Sequence, residues 1–450
     1  MLVLIATSAC AWSARPVHRI RAAHTLAAST DRTVPPIALA DSADVPSWAA
    51  LEELLPSSTA PQPLLYDAAR VSTIGGAASE EPDWYKKSDL PVLYRERNGW
   101  CPYSERVWLT LELKSIEFAT VLIDNTGPGP RPPGYSGSTP QMRWPGTQRP
   151  QGESFDLMKE LDARFPDSPQ LYPPPGVSLS DVQGAISAFK RCYPSNARPS
   201  SRAAYLFSWD GPLPRADFEA ALDRTDKLLA ASDGGPFFCG EQLSAADVAW
   251  APFLERYAAQ LPALHEGLEP KTTPDRWPHL HAWYAAMEQQ APAYACRVRG
   301  DFESWRRVLQ MQGYGNLGRP PTLADMTEAA ADPVVAVAWE AYAAEQAKGG
   351  RLVAPSAAEE AAAVLVRNRE AVAADAAARK LAAADEVDLG LRAVAAMLAG
   401  DGSECAYVGG EARTAASLVA THLEKRVCVP RDMGAPSAAS LRVLAAGLGE

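Results

Sequence analysis

The chain has 450 residues, 47% of them hydrophobic and 22% charged, and a formal net charge of -11. That length exceeds what one hydrophobic core usually serves, so two or three domains are expected, and the apolar content is that of a packed protein rather than a disordered one. The acidic balance, without clustered Lys and Arg, excludes nucleic acid as a main partner, and no run reaches the roughly 18 apolar residues that suggest a membrane span.

Residues 1–30 read as a targeting peptide. A short apolar stretch at 2–6 leads into Ala9-Cys10-Ala11, and Arg15, Arg19 and Arg21 follow with no acid before Asp31. An Arg-rich, Ser/Ala-rich, acid-poor segment has the composition of an organelle transit peptide, and its apolar lead suits a two-part plastid signal; a secretory signal or a plain tail is the alternative. The seven cysteines, odd in number and lacking any CxxC pair or metal-like spacing, point to free thiols and favour import over secretion. Residues 31–88, rich in Pro, Ser, Ala and Asp, read as a linker with a short helix at 48–55.

Order begins at residue 89. Leu90-Pro91-Val92-Leu93-Tyr94-Arg95 is strand-like, Asn98-Gly99-Trp100 a turn, and Cys101-Pro102-Tyr103-Ser104 a helix start, because Pro suits the first helical position where its missing N–H has no partner anyway. The helix runs to residue 114 with apolar residues on two faces, so it is expected to be covered on two sides. Residues 116–123 form a second strand, parallel to the first by crossover logic. The Pro/Gly-rich stretch 125–138 cannot be regular helix; a strand at 139–144, an edge strand at 148–152 and a helix at 155–165 follow. From residue 178 the pattern is helical, at 179–191, 215–231, 244–258 and 279–290. Past Pro320 come Ala-rich amphipathic stretches at 332–348, 357–384 and 387–398, ending near 427–430.

The chemistry-bearing feature is Cys101. A cysteine at a helix N-terminus meets unpaired backbone N–H groups and the positive end of the helix dipole, which populate the thiolate. Three residues on stands Ser104, not a resolving cysteine, so an oxidised Cys101 must exchange with an external thiol; Ser104 can still donate a hydrogen bond to the thiolate. The alternative is a buried, unreactive helix-start cysteine. Pro140 opens a strand directly after a loop, the place for a cis bond that lets a peptide-like ligand pair with the backbone, or for an ordinary trans edge proline. Glu153 and Ser154 open a helix whose free N–H groups suit a carboxylate, with Ser154 as a plain N-cap the other reading.

This order, with Thr139-Pro140 and Gly152-Glu153-Ser154, resembles the thioredoxin-like domain of glutathione transferases. Gly235-Pro236-Phe237-Phe238-Cys239-Gly240-Glu241-Gln242-Leu243-Ser244-Ala245-Ala246-Asp247 is similar to the segment around the family's sixth helix. The resemblance covers residues 88–312 and implies an α/β thioredoxin-like domain at 89–170, an all-α C-terminal domain at 178–312 and then a mostly helical extension at 325–450. It also implies Cys101 as catalytic thiol aided by Ser104, and glutathione as cofactor. Pro102, Tyr103, Thr139, Pro140, Glu153 and Ser154 would be its binding residues. Ser244 and Asp247 would form a capping box, as Ser-x-x-Asp before an apolar helix also indicates. Cysteine-type members of the omega, lambda, iota and dehydroascorbate-reductase classes favour thiol transfer and reduction over conjugation. The segment Arg426-Val427-Cys428-Val429-Pro430-Arg431-Asp432-Met433 is similar to the extension of iota-like transferases of photosynthetic organisms, whose pattern has a second cysteine where Ser104 stands here.

His279 and His281 lack a third ligand, so no metal site is expected. Tyr193, Tyr205, Phe207 and Trp209 read as core aromatics, and Cys239, Cys296 and Cys428 as buried small hydrophobes. The expected function is glutathione-dependent thiol transfer to a small-molecule or glutathionylated protein substrate, with neither nucleic acid nor membrane as partner and a homodimer left open. The competing functions are conjugation of glutathione to electrophiles and a non-catalytic binding protein that keeps the fold.

Overall fold

The computed structural model describes residues 45–55, 64–67, 89–123, 134–193, 211–232, 234–311, 333–400 and 410–449. The targeting peptide, most of the 127–137 loop, Tyr205, Phe207 and Trp209 lie outside them. Helix α1 (Trp48–Leu54) comes first, then β1 (Leu64–Asp67), β2 (Val92–Glu96), α2 (Pro102–Leu113), β3 (Ala119–Ile123), β4 (Gln141–Arg143) and α3 (Ser154–Arg164). The sheet order is β1-β3-β2-β4, with β1 and β2 parallel to β3 and β4 antiparallel to β2. Every residue of β2 and β3 is buried, which is why both read as continuous apolar runs rather than alternating ones.

Two expectations are corrected here. Residues 31–88 are not merely a linker: β1 pairs with the open edge of β3, where an unpaired ladder would otherwise face solvent, and Leu51 and Leu55 join a core built by the C-terminal helices. Nor is 148–152 a strand. Only a single bridge joins Met142 to Gln151, with backbone bonds of 2.8 and 2.7 Å, because the turn at 144–147 carries the chain off and Pro150 has no N–H for a ladder.

The helical half comprises α4 (Leu179–Cys192), α5 (Arg215–Ala230), α6 (Ala245–Leu264), α7 (Pro278–Gln290), a π-helical turn (Tyr294–Val298) and α8 (Phe302–Met311). Helix α6 runs past its expected end at residue 258 and carries Pro252 and Pro262 internally. Its start is a capping box: Ser244 Oγ accepts from Ala246 N at 3.2 Å and the Asp247 carboxylate accepts from Ser244 N at 2.9 Å. The sheet, α2, α3 and these helices share one apolar core that includes Leu93, Val107, Leu157, Trp250 and Trp283.

Helices α9 (Pro333–Lys348), α10 (Ala357–Ala378), α11 (Ala384–Ala399), α12 (Gly410–Arg426) and α13 (Ala435–Gly449) complete the chain. Helix α10 stops short of residue 384, because Lys380 adopts the left-handed conformation (φ 54°) just beyond its end. Helix α13 continues the helical pattern past 427–430. Helices α10 to α13, with α1, enclose a second core of Ala, Val and Leu. No helix among the described residues is long and apolar enough to cross a membrane.

Candidate active site

The turn before α2 is organised by one carboxylate. Glu96, buried at the end of β2, accepts from Asn98 N at 2.9 Å, Asn98 Nδ2 at 2.7 Å and Trp100 N at 3.0 Å. Gly99 between them has φ 72°, a conformation glycine adopts without steric cost. The turn delivers Cys101 as the N-cap of α2 with Pro102 at the first helical position. The sulfur makes no capping bond to its own helix. Instead, the thiol donates to the Thr139 carbonyl at 3.6 Å, and the Thr139–Pro140 bond is cis. Cys101, Pro102, Ser104 and Pro140 are all buried, with Thr139 half-buried. The thiol therefore lies between a helix N-terminus and the backbone of the loop entering β4.

Ser104 Oγ is buried one turn into α2 without a hydrogen-bond partner, leaving its proton available to an acceptor at the thiol. The Tyr103 ring packs edge-on against Phe253, centroids 6.4 Å apart. Arg106 lies over the Tyr103 ring at 5.2 Å and over Phe155 at 4.6 Å, and its Nε donates to the Ala249 carbonyl at 3.1 Å. It thus ties the start of α2 to the start of α3 and to α6.

Glu153 and Ser154 open α3 as expected, but the alternative of Ser154 as a plain N-cap does not hold. Ser154 is the first helical residue, not the cap; the cap is Glu153, exposed, with φ 67° and no side-chain capping bond. Three described non-glycine residues have positive φ. Ser115 and Lys380 follow helix ends, where that conformation is ordinary, whereas Glu153 opens a helix and holds it against a steric cost of about 1 kcal/mol or more.

Beneath the thiol lies a charged cluster that the sequence reading did not single out. Arg256, fully buried, donates to the Trp100 carbonyl at 3.1 Å, to Glu105 at 2.9 Å and to Glu255 at 3.1 Å. Glu255 also accepts from Gly300 N at 3.1 Å, and Glu105 N bonds the Cys101 carbonyl at 3.1 Å. Burial raises both the Glu105 and the Glu255 carboxyls above the ordinary range despite Arg256. Two buried carboxyls on one guanidinium each disfavour ionisation of the other. The only sequence signal was charge at 105 and 255–256 inside apolar helices, which a surface stripe produces equally well.

The other predicted groups fall elsewhere. His279 pairs with Asp226 at 3.2 Å and His281 Nδ1 faces the Lys271 carbonyl at 2.7 Å. Tyr193 contacts Phe189 in the helical half, centroids 5.0 Å apart. Cys101, Cys192, Cys239, Cys296 and Cys428 are all unbonded; burial pushes Cys239 and Cys428 up to about 11 and Cys296 up to about 12.

Comparison with known proteins gives the family. Residues 100–164 match the model of the glutathione S-transferase N-terminal domain, and residues 215–286 that of the C-terminal domain. Glutathione S-transferase L1 of Arabidopsis thaliana is 30% identical over 193 residues, which is 42% of this chain and 75% of that protein. The chain belongs to the glutathione S-transferase family. It is an enzyme of that family, with its two-domain fold followed by a helical extension. A rice protein named probable glutathione S-transferase DHAR2, chloroplastic, is 25% identical over 191 residues, 41% of this chain and 62% of that one. The solved dehydroascorbate reductase of Chlamydomonas reinhardtii is 22% identical with a TM-score of 0.31, covering 45% of this chain and 89% of that one. The relatives match the transferase half, and residues 333–449 lie beyond both domain models.

Proposed function

We propose that this transferase catalyses glutathione-dependent thiol transfer or reduction, with Cys101 as the nucleophile, acting by deglutathionylation or by a reduction of the dehydroascorbate type. The observation that carries the reading is the placement of Cys101, an N-cap thiol without a capping bond, against the Thr139 carbonyl of the loop entering β4. The buried, unpartnered Ser104 hydroxyl can hydrogen-bond the Cys101 sulfur.

The residues present fit glutathione. The Thr139 backbone would pair with its cysteinyl part, and the start of α3 at Glu153 and Ser154, held in an unusual conformation, would take the γ-glutamyl carboxylate. Pro102 and Tyr103 line the first turn of α2. The Cys101 thiolate attacks the disulfide sulfur of a glutathionylated acceptor, the acceptor's thiolate leaves and is protonated, and Cys101 is left in a mixed disulfide with glutathione. Attack by a second glutathione thiolate restores Cys101 and yields oxidised glutathione. With no cysteine at position 104, that second thiol must come from solution. A plastid is the proposed location, on the composition of residues 1–30 and the chloroplastic name of a relative.

The test is glutathione-dependent reduction of the mixed disulfide of glutathione and a small thiol. Cys101→Ser is expected to lose this activity by at least about a thousandfold, since a hydroxyl cannot form the mixed disulfide. Activity retained in the serine variant, or conjugation of an electrophile retained with no disulfide reduction in either protein, would overturn the reading.

A further inference from the structure

We propose that the C-terminal extension is a working part of the thiol site: by gripping α2 at both ends, it holds the Cys101 turn in its reactive position. This rests on the thiol-transfer reading above and assigns positioning residues to 342–351 and 427–431, a region beyond both matched domains.

At the N-terminal end of α2, the segment between α12 and α13 lies on the turn that delivers Cys101. A Cβ at Gly99 would meet Pro430 Cγ at 2.8 Å and Cδ at 3.2 Å. Gly99 stands two residues before Cys101. This segment takes its own position from α8 of the transferase core. Val429 N donates to Ser304 Oγ at 2.8 Å, and Arg307 donates to the Val427 carbonyl at 3.0 Å and to Glu424 at 2.8 Å. Asp432 closes the segment on itself, accepting from Cys428 N at 2.9 Å. The charged groups around the turn are Glu96 from β2, Glu105 from α2, Arg256 from α6, and Arg431 and Asp432 from the extension.

At the other end of α2, Glu112 is fully buried. Its carboxylate receives Arg351 at 2.9 Å and Tyr342 OH at 3.2 Å, both from the extension, and Trp108 Nε1 at 3.0 Å from its own helix. Gln346 Nε2 donates to the Glu112 carbonyl at 3.2 Å and Ser115 Oγ to the Glu345 carbonyl at 3.2 Å. Gly349 approaches the Ser115 carbonyl so closely that a Cβ there would collide with it. The 12-residue helix thereby has 342–351 on its C-terminal end and 427–431 on the turn that leads into its N-terminal end. Small displacements of a reacting group cost large factors in rate.

The experiment uses the full chain and three substitutions that act on the 427–431 segment from outside the proposed catalytic groups: Ser304→Ala, Arg307→Met and Cys428→Ala. Arg369→Gln, which breaks an ion pair with Glu52 elsewhere in the extension, is the control. The rate of Cys101 alkylation by iodoacetamide is followed by peptide mass spectrometry across pH, together with thermal melting and glutathione-dependent disulfide reduction. At least Arg307→Met and Cys428→Ala are expected to slow Cys101 alkylation about threefold or more, or to raise its pH midpoint, with kcat falling more than the KM for glutathione rises. The control should match the wild type. Superimposable alkylation profiles in all three variants would overturn the proposal, whatever their melting temperatures; the single-atom changes in Ser304→Ala and Cys428→Ala keep it testable if Arg307→Met does not fold. Because alkylation needs no acceptor, a wild type that alkylates at Cys101 yet reduces no disulfide would sink the functional reading alone.

Discussion

Cys101 and Glu255 are both buried near the start of α2, but their environments differ. Cys101 has a helix N-terminus and a carbonyl for neighbours. Glu255 is held above the usual carboxylate range by burial first and by the Glu105 carboxyl second, with Arg256 opposing both. A carboxyl raised in this way binds its proton in the folded state at pH values where the unfolded chain has released it, so it costs stability progressively as pH rises above about 4.5. Glu255→Gln, which mimics the protonated form, is therefore expected to gain stability relative to wild type on going from pH 5 to pH 7.5. Melting curves of both proteins at the two pH values test this; a stability difference independent of pH would mean that no proton is held in the pair. This cluster was not legible in the sequence, because charges inside an apolar helix look alike whether they face water or a buried partner on another helix.

Among the elements, α6 shows how a local signal becomes a tertiary one. Ser-x-x-Asp announced its start, and Ser244 and Asp247 do cap it. Asp247, however, also accepts from Phe238 N at 3.0 Å and Trp283 Nε1 at 3.0 Å, all fully inside the core. Removing it strands four buried donors, Phe238 N, Ser244 N, Ser244 Oγ and Trp283 Nε1. Asp247→Ala is expected to destabilise the fold by about 3 kcal/mol or more, several times a surface cap, measurable by denaturant unfolding; a loss under about 1 kcal/mol would reduce Asp247 to an ordinary cap. The strands show the converse. β2 and β3 were readable because both are buried on two faces and continuously apolar, whereas β1 has four residues in a Pro-rich stretch and exists only because β3 offers it an edge.

For the whole molecule, the transferase half and the helical extension have separate cores joined by buried polar contacts. Glu112 is the clearest joint. Burial alone would raise its carboxyl, yet Arg351 and Arg297 with the hydrogen bonds of Arg351 and Trp108 hold it below the ordinary range. Arg351→Met leaves that buried charge short of its main partner and is expected to destabilise the protein by about 3 kcal/mol at neutral pH, read by thermal or denaturant unfolding. Glu112→Gln in the same background should recover part of the loss; no recovery would show that charge is not the cause.

The sequence by itself determined the strand–turn–helix that presents Cys101, the Pro at the first helical position, the capping box and the helices at 179–192, 215–230, 278–290 and 333–348, because each depends on neighbours within a few residues along the chain. Only the tertiary structure decided that Arg256 holds the Trp100 carbonyl, that Glu105 and Glu255 meet on Arg256, that residues 64–67 complete the sheet, and that Pro430 meets Gly99. Those contacts join residues from tens to more than three hundred positions apart, and no local pattern encodes which distant groups close on them when the cores form.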